Sequence, residues 1–132
     1  MKGNNVVGRY IAVDFDGTCV DHCYPEVGEE VPHCLEVLRK LSAQGNVFIL
    51  NTMRSGKELQ DAVDWFAKNG IPLYGVNHNP DQDSWTTSPK VYAHQYVDDA
   101  ATGCPLLNLA KFKRPCVDWE AVWKILKVQD DS

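Results

Sequence analysis

Two acidic clusters are the residues of this sequence whose types and spacing best suit chemistry. The first lies in residues 14–18, Asp-Phe-Asp-Gly-Thr, and the second is the adjacent pair at 98–99. Residues two positions apart on an extended strand point to the same side. Four carboxylates converging on one crevice repel each other, and a hard divalent cation relieves that repulsion. Because oxygen ligands are typical of Mg²⁺, we predict a magnesium site with these candidate ligands: Asp14, Asp16, Asp98 and Asp99.

Each acidic pair by itself also has an ordinary structural explanation. Asp-Gly after a strand is typical of a turn, and an acidic residue at a strand end often caps the next helix. The occurrence of both pairs, each after its own predicted strand, favours a functional site. An EF-hand is excluded, because Cys19 stands where that loop needs glycine and Pro25 where it needs glutamate. The sequence contains no glycine-rich nucleotide-binding loop.

The elements that must position these residues alternate between strands and helices. Buried strand patterns occur at 9–15, 46–50, 72–76 and 91–97, and a short edge-strand pattern occurs at 105–107. Apolar residues follow helical spacing at 32–45, 55–70 and 118–126. Among the local signals, Pro32 suits a first helical turn and Gly45 suits a helix end. Ser55 with Glu58 forms a capping box, and Asp118 can cap the last helix.

This alternation predicts an α/β fold with a three-layer, Rossmann-like parallel sheet and helices on both faces, in a single domain over residues 1–132. Ligands of such sheets bind at the carboxyl ends of the strands. Both acidic clusters stand at predicted strand ends, so the topology and the polar residues point to the same edge of the sheet.

Composition narrows the classes of protein. The chain has 132 residues, of which 44% are hydrophobic, and its net charge is -5. These values argue against disorder. The net negative charge argues against an anionic membrane as a partner, and it leaves nucleic acid only as a possible substrate. No apolar run approaches the roughly 20 residues of a membrane span, and no export signal is evident at the start. The five cysteines form an odd, irregular set that favours reduced thiols over a zinc site, so we expect a cytoplasmic protein.

The order of these motifs resembles that of the haloacid dehalogenase-like (HAD) phosphohydrolase superfamily. Its first motif, Asp-x-Asp-x-Thr, matches residues 14–18, and its second, a Thr or Ser ending the next strand, matches Thr52. Lys90 is the candidate for the third-motif lysine, and the pair at 98–99 matches the acidic fourth motif. The chain departs from many relatives at Ala100, where a basic or polar residue is common.

The resemblance implies a Mg²⁺-dependent phosphatase that acts through an aspartyl phosphate. Asp14 would be the nucleophile, and Asp16 would protonate the leaving oxygen and then activate water. The Asp16 backbone carbonyl would join the metal ligands. Donors to the phosphoryl oxygens would come from Thr52 and Lys90, and Arg54 is a further candidate for phosphate binding, with a solvated helix-start residue as the alternative.

The resemblance also implies that the enzyme lacks a cap domain. The family inserts its cap after the first motif or between the second and third, and the corresponding segments here, 19–30 and 74–89, are too short for a folded lid. We therefore expect an open site that serves a large substrate or takes a lid from another subunit of a homo-oligomer.

Two other classes of protein remain open. One is a receiver-like phosphoacceptor, although such domains have the acidic pair early and the accepting aspartate on a later strand. The other is a phosphate-binding module without turnover. Asp16 favours turnover, because a general acid next to the nucleophile promotes hydrolysis of the phosphoryl group. The sequence does not choose among sugar phosphates, nucleotides and nucleic-acid ends as the phosphorylated substrate.

Overall fold

A four-stranded parallel sheet forms the centre of the molecule in the computed structural model, which describes residues 8–127. In chain order its strands are β1 (Tyr10–Val13), β2 (Val47–Leu50), β3 (Leu73–Val76) and β4 (Gln95–Val97), and they lie in the order β3-β2-β1-β4. A small antiparallel sheet pairs β5 (Leu106–Leu107) with β6 (Cys116–Val117). The helices are α1 (Cys34–Ala43), α2 (Gly56–Lys68), α3 (Trp119–Leu126) and a 3-10 helix (Pro80–Ser84). The predicted α/β, Rossmann-like fold is confirmed.

The strands β1 and β2 form the buried middle of the sheet. Ile11 on β1 lies opposite Phe48 on β2, and both side chains belong to the main core together with residues of all three α-helices. Ala12 and Ile49, the next pair in register, face the other way. Because side chains alternate along a strand, runs that are apolar at every position indicate strands covered on both faces.

The two faces of the sheet have different covers. The α-helices pack on the face of Ile11 and Phe48, and α1 contacts α3. On the other face, Val91 packs against Ala12 and Ile49. Val91 belongs to the segment 77–94, which includes the 3-10 helix and is held together by the buried side chain of Gln82. The third layer is therefore a compact loop with one short helix.

The predicted helix ends agree with the structure in part. Asp118 caps α3, since its carboxylate accepts a hydrogen bond from the backbone N–H of Ala121 at 3.2 Å. Ser55 occupies the N-cap of α2, but its side chain makes no capping hydrogen bond, so the predicted capping box is wrong. The first helix begins at Cys34, after the predicted first-turn Pro32, because His33 adopts a left-handed conformation with φ 68°.

The chain between these elements consists of turns and short segments. Residues 19–30 form a loop in which Val20 makes isolated β-bridges with Asp16 and Glu30. All five cysteines are free thiols. None of the helices within residues 8–127 combines the length and the apolar character that a membrane-spanning helix requires.

Candidate active site

The two acidic clusters meet because β1 and β4 are neighbours. Val13 lies opposite Val97 in the parallel register, and the backbone N–H of Asp14 donates to the carbonyl of Val97 at 3.0 Å. Asp14 and Asp98 therefore leave their strands at the same level of the sheet. The carboxyl ends of adjacent parallel strands form the usual ligand-binding edge of such a sheet.

Three carboxylates face one another at this edge. One oxygen from each of Asp14, Asp98 and Asp99 lies within 4.8 Å of the others. Burial, a hydrogen bond with Asp99 and the negative charge of Asp98 raise the pKa of Asp14 to about 8. The hydroxyl of Thr18 lies 3.3 Å from an oxygen of Asp14 and 3.3 Å from an oxygen of Asp99, and it accepts from the Asp99 backbone N–H at 3.1 Å. Because these three carboxylates repel one another when they are ionised, the arrangement favours a divalent cation.

The Asp16 carboxylate lies outside this group of three. Both its oxygens accept hydrogen bonds of 2.8 Å from Arg54, one from Nε and one from a terminal nitrogen. The Arg54 side chain is 1% exposed, and its guanidinium lies 5.0 Å from the centre of the Phe15 ring and 5.2 Å from that of Tyr24. The hydrogen bond with Asp16 raises the pKa of Arg54. Arg54 therefore fixes the orientation of Asp16 from inside the protein.

A glycine and a distant tryptophan shape the loop that carries these residues. Gly17 has φ +83°, and a Cβ atom there would lie 2.1 Å from Nε2 of His22 and 2.4 Å from an oxygen of Asp99. Only glycine fits a left-handed position this close to two side chains. The indole N–H of Trp119, which is fully buried, donates to the backbone carbonyl of Thr18 at 2.7 Å. The start of α3 thereby supports the loop from below.

Thr52 and Lys90 have different positions relative to the acidic edge. Thr52 follows β2, and its backbone N–H donates to the side-chain carbonyl of Asn77 at 2.8 Å, while its hydroxyl accepts from the backbone N–H of Arg54. Thr52 lines the same cleft as the carboxylates. Lys90 lies in the 77–94 segment, where its ammonium group is 5.7 Å from the centre of the Tyr96 ring. The structure does not bring Lys90 to the cleft.

Two residues that the structure places at this site were not predicted from the sequence. His22 contacts an oxygen of Asp99 through Nε2 at 3.0 Å, and its Nδ1 lies 3.1 Å from a terminal nitrogen of Arg114. Neither residue belongs to a sequence motif that connects it with the acidic clusters. No sequence signal links them, because 92 residues separate the two side chains.

The cleft that joins these groups is open and has a volume of about 590 Å³. The exposed side chains of Tyr24 and Met53 lie at its rim, and that of Met53 is 98% exposed. The residues that line the cleft are Asp14, Asp16, His22, Tyr24, Thr52, Met53, Arg54, Asp98, Asp99, Ala100 and Arg114. An acidic floor with arginines at its side can hold a cation and an anionic ligand together.

Fold and site together define an α/β protein with an acidic cleft at the carboxyl edge of its sheet. No protein-family model and no curated protein matches the chain. A solved structure of a conserved protein coded by a locus of Bacteroides thetaiotaomicron is 32% identical, with a TM-score of 0.76. The similarity covers 91% of this chain and 90% of that chain. The chain therefore belongs to the same family as that conserved Bacteroides protein.

Proposed function

We propose that this chain is a HAD-type phosphohydrolase that hydrolyses phosphomonoesters with Mg²⁺ through a phosphoryl group carried on Asp14. The observation that carries the proposal is the meeting of Asp14, Asp98 and Asp99 within 4.8 Å at the carboxyl edge of the sheet. Bringing three carboxylates so close together costs free energy unless a cation relieves their repulsion. The order of the motifs along the chain supports the same class of enzyme.

The donor set fits Mg²⁺. All the candidate side-chain ligands are carboxylates, and oxygen is the donor that this ion prefers. Asp14, Asp98 and Asp99 would hold the ion, with the backbone carbonyl of Asp16 as a further oxygen ligand. Bound there, Mg²⁺ supplies positive charge that neutralises the phosphoryl oxygens and lowers their repulsion from the carboxylates.

Asp14 is the nucleophile in this proposal. One of its oxygens forms a bond to phosphorus while the bond from phosphorus to the leaving oxygen breaks, and the electron pair departs on that oxygen. The leaving oxygen takes a proton from the carboxyl group of Asp16. In the second half, Asp16 accepts a proton from water as the water oxygen attacks phosphorus. The bond from phosphorus to the Asp14 oxygen breaks, inorganic phosphate leaves, and the carboxylate of Asp14 is restored.

Thr52 and Arg54 have separate roles in this proposal. The Thr52 hydroxyl accepts from the Arg54 backbone, so its own proton is free to point to a phosphoryl oxygen. Arg54 is a positioning residue for Asp16, since its guanidinium contacts both oxygens of that carboxylate. To donate a proton, Asp16 must turn one oxygen from Arg54 toward the cleft.

The ion pair between Arg54 and Asp16 also favours a second candidate function. If Arg54 holds Asp16 throughout, the phosphoryl group on Asp14 persists, and the protein acts as a phosphoacceptor or a phosphate-binding module. The lifetime of a phosphoryl group on Asp14 separates the two functions. A phosphoryl group that leaves Asp14 at least as fast as the substrate is turned over supports the hydrolase. One that persists for minutes supports the phosphoacceptor.

The open cleft favours a large phosphorylated substrate. Nucleotides, nucleic-acid ends and sugar phosphates remain the candidate classes. Met53, nearly fully exposed at the rim, offers an apolar contact for a leaving group or for a lid from a second subunit. Five free thiols suit a reducing compartment and support a cytoplasmic location.

Release of phosphate from an aryl phosphate tests the proposal. We expect turnover with Mg²⁺, none with EDTA, and a loss of at least about 1000-fold in Asp14→Asn, because the nucleophile is removed. Circular dichroism establishes that the variant is folded. Metal-independent turnover, or turnover by folded Asp14→Asn close to the wild-type rate, would contradict the proposal.

A further inference from the structure

Cationic side chains decide whether the cleft can bind a phosphoryl group, because four carboxylates line it. Among the described residues lining the cleft, Arg54 and Arg114 carry a permanent positive charge. A phosphoryl group brings further negative charge to Asp14 and its neighbours. Beside a bound cation, an arginine can offset this charge only if it has donors directed to the cleft.

The donors of Arg54 are already used. Nε and one terminal nitrogen bind Asp16, and the other bonds go to backbone carbonyls of Pro25, Glu26 and Glu58. A guanidinium has five N–H donors, which equals the number of these hydrogen bonds. With its side chain 1% exposed, Arg54 has no donor left for a ligand.

Arg114 has the opposite character. Its side chain is exposed, and its contact with Nδ1 of His22 uses one of its five N–H donors. An arginine only donates, so Nδ1 of His22 accepts, and the imidazole is the neutral tautomer with its proton on Nε2. That Nε2–H donates to Asp99 at 3.0 Å. The imidazole thus accepts a hydrogen bond from Arg114 and donates one to Asp99.

The surrounding backbone holds this pair in place. The carboxylate of Asp21, 6% exposed, accepts from the backbone N–H of His22 at 2.8 Å and from that of Lys113 at 3.2 Å. One buried group therefore ties the segment before Arg114 to the residue that contacts its side chain. The absence of a side chain at Gly17 leaves room for the His22–Asp99 contact.

We infer that Arg114, held by His22, is the cation that binds the phosphoryl oxygens of the ligand, the role that the family resemblance gave to Lys90. The inference rests on the proposed function for the reaction, but its binding component is independent of turnover. Arg114 follows the acidic pair in the chain, whereas Lys90 precedes it. The topology thus supplies the phosphate-binding cation from the connection between β5 and β6.

Calorimetric titration of inorganic phosphate into the Mg²⁺-loaded protein tests the binding component. We expect Arg114→Ala to weaken phosphate binding about tenfold or more, because charge-assisted hydrogen bonds are lost. Arg114→Lys should recover part of the affinity. Lys113→Ala is the matched control, since it removes the same charge one residue away while its backbone contact with Asp21 remains, and it should change the affinity less than about twofold.

Substitution of His22 tests its role as a positioning residue. His22→Gln keeps one acceptor for Arg114 and one donor for Asp99, whereas His22→Leu keeps neither. We expect His22→Leu to weaken phosphate binding and His22→Gln to restore most of it. Equal weakening in both variants would overturn the positioning role, because a merely structural defect would not respond to the donor and acceptor pattern.

The outcomes separate this inference from the proposed function. Wild-type affinity for phosphate in folded Arg114→Ala, or no phosphate binding by the wild-type protein, would overturn the inference. If the wild-type protein binds phosphate and Arg114→Ala does not, the inference stands even when no aryl phosphate is hydrolysed. In that case only the hydrolase function fails.

Discussion

Two aspartates lie at the opposite ends of β1 in opposite electrostatic settings. At the amino end, the Asp81 carboxylate accepts hydrogen bonds from the phenols of Tyr10 and Tyr74, which lower its pKa. At the carboxyl end, burial and two neighbouring carboxylates raise the pKa of Asp14 to about 8. The same strand thus begins beside an acid whose charged form is stabilised by two donors and ends at one whose charged form is disfavoured by burial and neighbouring carboxylates.

This difference separates an acid with a purely structural explanation from acids that suit a ligand site. The two phenol hydroxyls donate hydrogen bonds that stabilise the charge of the exposed Asp81 carboxylate, so this arrangement is explained without a ligand. The group of Asp14, Asp98 and Asp99 keeps its repulsion in a cleft that a cation and an anion can reach. Concentrating electrostatic cost at one edge is typical of a binding or catalytic site.

The largest expected effect after that of Asp14→Asn concerns Asp16 at the carboxyl end of β1. Asp16→Asn should lower the turnover of an alkyl phosphate by about 100-fold or more, because the leaving oxygen loses its proton donor. Aryl phosphates have better leaving groups and should be much less affected. Steady-state rates with both substrates measure this, with the exposed Asp83→Asn as the control. Equal losses with both substrates would remove the acid role of Asp16.

The next effect concerns the loop geometry. Gly17→Ala combines a left-handed backbone with a Cβ atom 2.1 Å from His22, whereas Gly103→Ala has φ +89° and open space around the new atom. Both variants bear the backbone strain of about 1–3 kcal/mol, and Gly17→Ala bears the clash in addition. Urea denaturation should therefore rank wild type, Gly103→Ala and Gly17→Ala in falling stability. Equal stability of the two variants would show that the Gly17 contact with His22 is not close.

A smaller effect follows from the pKa of Asp14. Its folded-state value of about 8 exceeds the ordinary value of 3.8, so the metal-free fold is favoured at low pH and loses this contribution as pH rises from about 4 to about 8. Asp14→Asn lacks the titration. We expect its melting temperature relative to wild type to increase across this range and to level off above it. A difference that is constant between pH 4 and pH 8 would contradict the raised pKa.

The smallest effect belongs to the amino end of the strand. The hydrogen bond with Asp81 is the main cause that raises the pKa of Tyr10 to about 12. Asp81→Asn should lower that pKa toward the ordinary tyrosine value of about 10 and leave phosphate release unchanged. Ultraviolet titration of the phenolates measures the shift. A large loss of turnover would show that the two ends of β1 are not independent.

The fold was predictable because local patterns and topology agree. Runs such as Ile11 to Val13, buried at every position, indicate a strand with a layer on each face. The sequence could not show that a loop forms one of those layers, since Val91 and Gln82 act through contacts that no periodicity reveals. Ser55 shows the limit of local rules, because a residue type suited to a cap made no cap bond.

The site was predictable where it depends on strand ends and hidden where it depends on loops. The adjacency of Asp14 and Asp98 follows from parallel strands that end at one edge. The contact of Arg114 with His22 joins two loops 92 residues apart, and the occupation of Arg54 by Asp16 depends on side-chain orientation. Lys90 matched a motif by order alone, and order does not fix where a loop residue lies.

Calorimetric titration of Mg²⁺ into the purified protein tests most directly the claim that the strand-end carboxylates form a divalent cation site. We predict binding of one ion by the wild-type protein, weakened about tenfold or more in Asp98→Asn and unchanged in Asp83→Asn, because only the first removes a charged ligand. Absence of Mg²⁺ binding by the wild-type protein, or equal affinity in Asp98→Asn, would contradict the account.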